Sequence, residues 1–167
     1  MREPAEHNRE LIRGLYAALD RADGEAMAAC YAPAARFSDP AFGELRGEEI
    51  GRMWRMLTSR STDLAVDLAE HDADASSGRA HWIATYTFST GRHVVNDIRA
   101  RFRFEHGLIA EHDDEFSFFR WSRQALGAPG LLLGWTPLLR MAVRRRARGD
   151  LAGFESEAAR GASPPPG

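Results

Sequence analysis

Residues 79–116 read RAHWIATYTFSTGRHVVNDIRARFRFEHGLIAEHDDEF, and this stretch decides the fold. A period of two runs through it. Trp82, Ala84, Tyr86 and Phe88 share one face of a first strand, and Asn96, Ile98, Ala100, Phe102 and Phe104 share one face of a second. His112, Asp114, Phe116 and Phe118 share a face of a third. Such alternation marks strands with one buried face. Thr90-Gly91 and Glu105-His106-Gly107 supply hairpin turns between them. Asp97, Arg99, Arg101 and Arg103 fall on the opposite, charged face. Just upstream, Leu64, Val66 and Leu68 alternate with Asp63 and Asp67, and a polar turn spans His71 to Gly78.

Toward the N-terminus the period changes to helical. Leu11, Ile12, Leu15, Tyr16 and Leu19 line one face of a helix from about Pro4 to Asp20. Asp23 is placed to cap a second helix reaching about Tyr31, which Pro33 ends. Ala35 to Ser38 reads as a short strand before an Asp39-Pro40 turn. Ile50, Met53, Trp54 and Leu57 mark a third helix over 47–59. Beyond the strands, Trp121 to Leu126 is helical for a turn or two, and Gly127 to Gly130 is a break. Leu131 to Leu133 is an apolar run that needs a surface to cover. Thr136 and Pro137 open a helix reaching about Phe154. Residues 155–167 are expected to form a disordered tail beyond a single domain over 1–154.

Helices followed by a strand meander give an α+β class. The expected architecture is a cone-shaped barrel: a strongly bent antiparallel sheet wrapped on the N-terminal helices, with an extra C-terminal helix.

Composition narrows the partners. The net charge is -2, with 24 acidic and 22 basic side chains. That balance disfavours nucleic acid, and the Arg-rich last helix reads as a solvated face. No apolar run reaches spanning length, and the charged N-terminus is unlike a secretion signal, so the expectation is a cytoplasmic protein without a membrane partner. Every basic side chain is arginine, which excludes lysine Schiff-base chemistry and suggests a GC-rich bacterial source. Cys30, the one cysteine, reads as a small hydrophobe. The histidines show no metal-ligand spacing, so no metal and no cofactor is expected.

Asp20-x-x-Asp23-x-Glu25-Ala26, Tyr31-Ala32, Asp39-Pro40 and Gly47-x-Glu49-Ile50 together resemble the first half of ketosteroid isomerases and SnoaL-like polyketide cyclases. TGR at 90–92, Asn96, FRF at 102–104, Gly107-Leu108-Ile109 and His112-x-Asp114-x-Phe116 are similar to a SnoaL-like subgroup. The resemblance implies the nuclear-transport-factor-two-like fold, a small apolar molecule as ligand, and a homodimer formed through the outer sheet face.

It also assigns roles. Asp39 matches the isomerase general base, a task that needs a carboxyl raised toward neutrality by apolar surroundings. Tyr16 lies near the isomerase's oxyanion-hole tyrosine, slightly out of register, and the second, protonated acid falls at Ala100. That removes the strongest support for an enolate and argues against ketosteroid isomerisation itself. Asp114 matches the cyclase acid/base aspartate. His112 and Asp114 point to one side of their strand, so they form a catalytic pair or, with Asn96, a self-satisfied polar cluster. Asn96, Tyr16, Trp82, Tyr86, Phe102 and Phe116 are the expected substrate contacts, with Trp121, Trp135 and Leu131 to Leu133 closing the mouth.

The function these features suggest is cofactor-independent acid/base chemistry (isomerisation, cyclisation or hydrolysis) on a small apolar, oxygen-bearing compound. A non-catalytic binding protein is the alternative. A further alternative is epoxide hydrolysis by Asp97, Arg99 and Asp114, which requires Asp97 and Arg99 to face the pocket.

Overall fold

A computed structural model describes residues 3–161. Helix α1 (Pro4–Asp20) starts with proline in its first turn, where the missing N–H costs nothing. It buries Ile12, Leu15, Tyr16 and Leu19. Each such side chain contributes about 1.5–3 kcal/mol on burial. The Asp23 carboxylate accepts the Ala26 N–H at 2.9 Å and so caps α2.

Helix α2 (Gly24–Ala28) is shorter than its apolar pattern suggests. Strand β1 (Tyr31–Asp39) begins at Tyr31, and Pro33 lies within it. A short β2 (Gly43–Arg46) then folds back on β1, with Gly43 at φ 73° taking the left-handed turn conformation. Helix α3 (Glu48–Arg60) follows.

The meander is β3 (Ala65–Ala73), β4 (Ser77–Thr87), β5 (His93–Glu105) and β6 (Leu108–Glu115). The sheet order is β2-β1-β6-β5-β4-β3. The sheet curls around the helices without closing, since β2 and β3 remain its edges. Burial alternates strictly along β5: Asn96, Ile98, Ala100 and Phe102 face inward, and Asp97, Arg99, Arg101 and Arg103 face out. The β5–β6 turn has His106 at φ 51° and Gly107 at φ 76°, the two left-handed residues that a tight hairpin requires.

One pairing departs from the antiparallel reading: β1 runs parallel to β6, with Phe37 beside His112. Arg36 clamps this pair from outside, donating to both oxygens of Asp113 at 2.9 and 2.8 Å. With Asp113 held outward, His112 and Asp114 turn inward.

Strand β6 ends at Glu115 rather than continuing through Phe118. The Ser117 hydroxyl accepts the Arg120 N–H and starts α4 (Phe118–Leu126), so Phe118 joins a second apolar cluster with Val94, Trp121 and Ala125. The expected break over 127–130 shrinks to Gly127 alone, because Ala128, Pro129 and Gly130 already form the first turn of helix α5 (Ala128–Leu133). Thr136 accepts the Leu139 N–H, as its position predicts, and α6 (Pro137–Gly161) runs past Phe154. Residues 155–161, assigned from sequence to a tail, are therefore helical; 162–167 lie outside the described residues. The inner face of α6 packs Ala147, Leu151 and Phe154 on the main core.

Candidate functional site

The parallel β1–β6 pair brings Tyr31, His112 and Asp114 into line, and Trp54 of α3 joins them. His112 is 0% exposed, so both ring nitrogens need partners inside the protein. Nδ1 lies 2.8 Å from the Tyr31 hydroxyl and Nε2 lies 2.9 Å from Asp114 Oδ1. The Tyr31 oxygen also accepts the indole N–H of Trp54 at 3.1 Å. Indole can only donate and a carboxylate can only accept, and with the Tyr31 hydroxyl proton directed at Nδ1 every member of the relay is satisfied. Trp54 donates to Tyr31, Tyr31 to Nδ1, and Nε2–H to Asp114.

Aromatic rings fix the imidazole as firmly as the hydrogen bonds do. Phe102 lies 4.4 Å from it between ring centroids and Phe37 meets it edge-on at 5.0 Å. Burial raises the Tyr31 hydroxyl well above its ordinary pKa, and the Asp114 charge adds to this. Tyr31 therefore stays protonated and keeps donating.

Deeper along α1 and β4, two polar atoms lack partners. The Tyr16 hydroxyl and the Trp82 indole N–H are buried and make no hydrogen bond. Their rings lie 4.9 Å apart, and Phe102 meets Tyr16 edge-on at 6.5 Å. Burial, and then the nearby Asp114 charge, push the Tyr16 pKa up. Tyr16 and Phe102 thus lie near the His112–Asp114 pair, with Trp82 packed on Tyr16. An unmade hydrogen bond on a buried group costs about 1–3 kcal/mol, and here two donors carry that cost.

Asp39 ends β1 and is only half-buried. Burial pushes its carboxyl up to about 7, against the opposing pull of the Phe42, Ala41 and Gly43 backbone N–H groups; the charge of Asp114 raises it further. Its Oδ1 accepts the Phe42 N–H at 2.5 Å, so the turn-forming role and the raised carboxyl coexist in one residue. Tyr86 is close enough to feel the Asp39 charge, and its oxygen accepts the Trp121 indole N–H at 2.9 Å. Half-buried Phe116 stands 6.4 Å from Trp121, ring to ring. Asp39, Tyr86, Phe116 and Trp121 form the outer rim of the site.

Other expectations need correction. Asn96 does not join His112 and Asp114. Ala100 pairs with Asp114 in the ladder, and Asn96 is four residues further along β5, about 13 Å away by strand rise. Its side chain makes no hydrogen bond among the described residues, so the self-satisfied cluster contains His112 and Asp114 without it. Asp97 and Arg99 lie on the outer face, where Asp97 takes a hydrogen bond from His81 at 2.9 Å, which removes them from any epoxide chemistry inside. Trp135 and Leu131 to Leu133 are exposed rather than packed over the interior, whereas Trp121 is buried. Cys30 has a thiol pushed up to about 11 by burial and is inert at neutral pH.

Tyr31 and Trp54 were missed as functional residues. Trp54 was counted as a core residue of α3 and Tyr31 as a helix end. The available signal was that a buried histidine requires two partners, and polar-tipped aromatics were the nearest supply. Two concavities open on the surface, the larger of them touching Phe102. One of about 650 Å³ is lined by charged residues of β3 to β6, and one of about 510 Å³ lies around Arg92 and Arg123. Among the described residues, no three His, Cys, Asp or Glu side chains gather as metal ligands.

The SnoaL-like domain profile matches residues 12–112. Solved structures with the same fold include a protein of ketosteroid isomerase-like fold from Catenulispora acidiphila, in complex with trimethylamine. It has TM-score 0.64 and 17% identity, covering 77% of this chain and 98% of that one. A second is an LEH-like epoxide hydrolase from M. tuberculosis, with TM-score 0.63 and 16% identity, covering 77% and 94%. A third is a candidate polyketide cyclase from Xanthomonas campestris, with TM-score 0.63 and 18% identity, covering 74% and 99%. No curated protein matches the chain.

Proposed function

The chain belongs to the SnoaL-like domain family, whose fold carries several chemistries, and we propose that it is a cofactor-independent acid/base enzyme acting on a small apolar compound that bears a carbonyl or hydroxyl oxygen. The observation that carries this reading is the pair of unpartnered buried donors, Tyr16 and Trp82, whose rings lie 4.9 Å apart, with Tyr16 near the Asp114 charge. A substrate oxygen accepting from both would remove their desolvation cost and be polarised by them. Asp39 moves the proton. It is half-buried, and its carboxyl, raised to about 7, passes between acid and base near neutrality. Asp114, hydrogen-bonded to His112, lies close enough for its charge to help keep Asp39 raised. The reaction class is isomerisation, cyclisation or hydrolysis.

The sealed His112–Asp114 pair favours a second reading, a binding protein that uses the same two donors without turnover. One experiment separates the two. Tryptophan fluorescence is followed against apolar ketones, epoxides, polyketide-like compounds and trimethylamine, the compound held by the Catenulispora acidiphila neighbour. Any compound that binds is then tested for conversion from about pH 5 to pH 9. An enzyme gives conversion with an apparent pKa near 7 that disappears in Asp39→Asn. Tyr16→Phe weakens binding by about tenfold while leaving the fold as stable or more so, because it removes only an unpaired polar atom; Trp82→Phe weakens binding by a similar factor but also costs stability, because the smaller ring leaves a cavity in the core. Binding without conversion supports the carrier; binding untouched by both variants refutes the assignment of the donors.

A further inference from the structure

The chain's formal charge is -2, yet from Phe116 to Gly149 its only charged residues are seven arginines. None of them forms an ion pair among the described residues, although eleven other arginines in the described chain do. Arg144 and Arg148 donate to backbone carbonyls of the β1–β2 turn, and Arg140 lies 5.2 Å over the Phe118 ring. Their charge is uncompensated.

The same segment carries the main exposed apolar surface. Leu132 is 68% exposed, Trp135 76%, Leu138 77% and Met141 56%, with Leu131 and Leu133 beside them. On α6 the inner face is Leu139, Val143, Ala147 and Leu151, and it packs on the two cores. Leu138, Met141 and Arg145 lie on the other side of that helix, by their spacing of three and seven. Free contiguous apolar surface of this kind, ringed by one sign of charge, marks an interaction site.

The geometry points to an anionic lipid surface as its occupant: we propose that α5 and the first turns of α6 dock this protein on membranes rich in acidic phospholipid. Leucine and tryptophan would enter the headgroup boundary while the arginines pair with phosphates. No helix of the described chain is long and apolar enough to cross a membrane, so the contact is peripheral. The sequence-based expectation of no membrane partner rested on the lack of such a span and does not bear on surface binding. A second copy fits less well. A twofold contact through this patch would set one unpaired arginine ring against another, and the homodimer expected through the outer sheet face leaves the patch open.

The test is flotation of the full chain with vesicles of phosphatidylcholine alone, and with vesicles containing about a quarter phosphatidylglycerol. The expected result is flotation with the acidic vesicles only, lost in about 0.5 M salt. Leu132→Glu with Trp135→Glu, and separately Arg145→Glu with Arg146→Glu, reduce it about tenfold or more. All four positions are exposed, and an unchanged thermal transition confirms intact folding in each variant. Equal flotation with both vesicle types, flotation unaffected by the variants, or no flotation overturns the proposal. So does a sedimentation dimer that the Leu132/Trp135 variant dissociates while the wild type ignores vesicles, since the patch is then a contact between copies.

Discussion

Replacing Asp39 with asparagine removes one charge and little else. The amide oxygen can still accept the Phe42 N–H that Asp39 Oδ1 holds at 2.5 Å. The folded carboxyl titrates at about 7, whereas in an unfolded chain it titrates near ~3.9. Between those values the folded protein keeps a proton that the unfolded chain has released, so rising pH favours unfolding. At about 1.36 kcal/mol per pH unit, the full penalty is about 4 kcal/mol, of which about 3 falls between about pH 5 and pH 8. Urea unfolding of both proteins at the two pH values measures it. Asp39→Asn is expected to gain about 3 kcal/mol on wild type as pH rises from about 5 to 8. A change under about 1 kcal/mol would mean that Asp39 is solvated and ionised like a surface carboxylate, and the acid/base role assigned to it would fall with its raised pKa.

Two further predictions concern the scaffold. Tyr31→Phe strips the acceptor from Trp54 Nε1 and the donor from His112 Nδ1, both buried, and costs about 2–4 kcal/mol in urea unfolding. A loss under about 1 kcal/mol would show that the relay is replaceable. Gly130→Ala would place a Cβ on the backbone carbonyl of Ser122, where neither side can yield. Hydrogen exchange in α4 and α5 should accelerate strongly while β3 to β6 stay protected; uniform protection would mean that the helix pair adjusts without cost.

Much of this molecule was legible in its sequence because one physical rule governs each part. Alternation in β4, β5 and β6 placed Trp82, Phe102, His112 and Asp114 on the inner face and Asp97 and Arg99 outside, since a one-residue slip would expose the whole core face. The Asp23 and Thr136 caps were equally local. What escaped depended on the rest of the chain. The Asp23 cap and Pro33 frame a helix reaching Tyr31, but pairing with β6 draws Tyr31 into a strand. Asn96 shares a face with Asp114's partner, yet a face says nothing about distance along it. Leu131 to Leu133 were expected to cover the mouth, because apolar runs are usually buried; their exposure becomes intelligible only beside the arginines of α6.

The parallel pairing of β1 with β6 also bears on how the chain folds. Tyr31 and His112 are 81 residues apart, whereas β4, β5 and β6 are joined by short hairpins. Contacts between distant segments form late because the loop between them must close first. The meander can therefore assemble with His112 holding only Asp114, and the relay is completed when β1 docks. Completion of the relay is then the final step of folding, and the fluorescence of Trp54, whose indole bonds Tyr31, should record it as the slowest phase in a stopped-flow trace; a Trp54 signal that keeps pace with strand formation would place β1 in the early nucleus instead. Newly made chains would spend their time before that step with a formed sheet and no working interior.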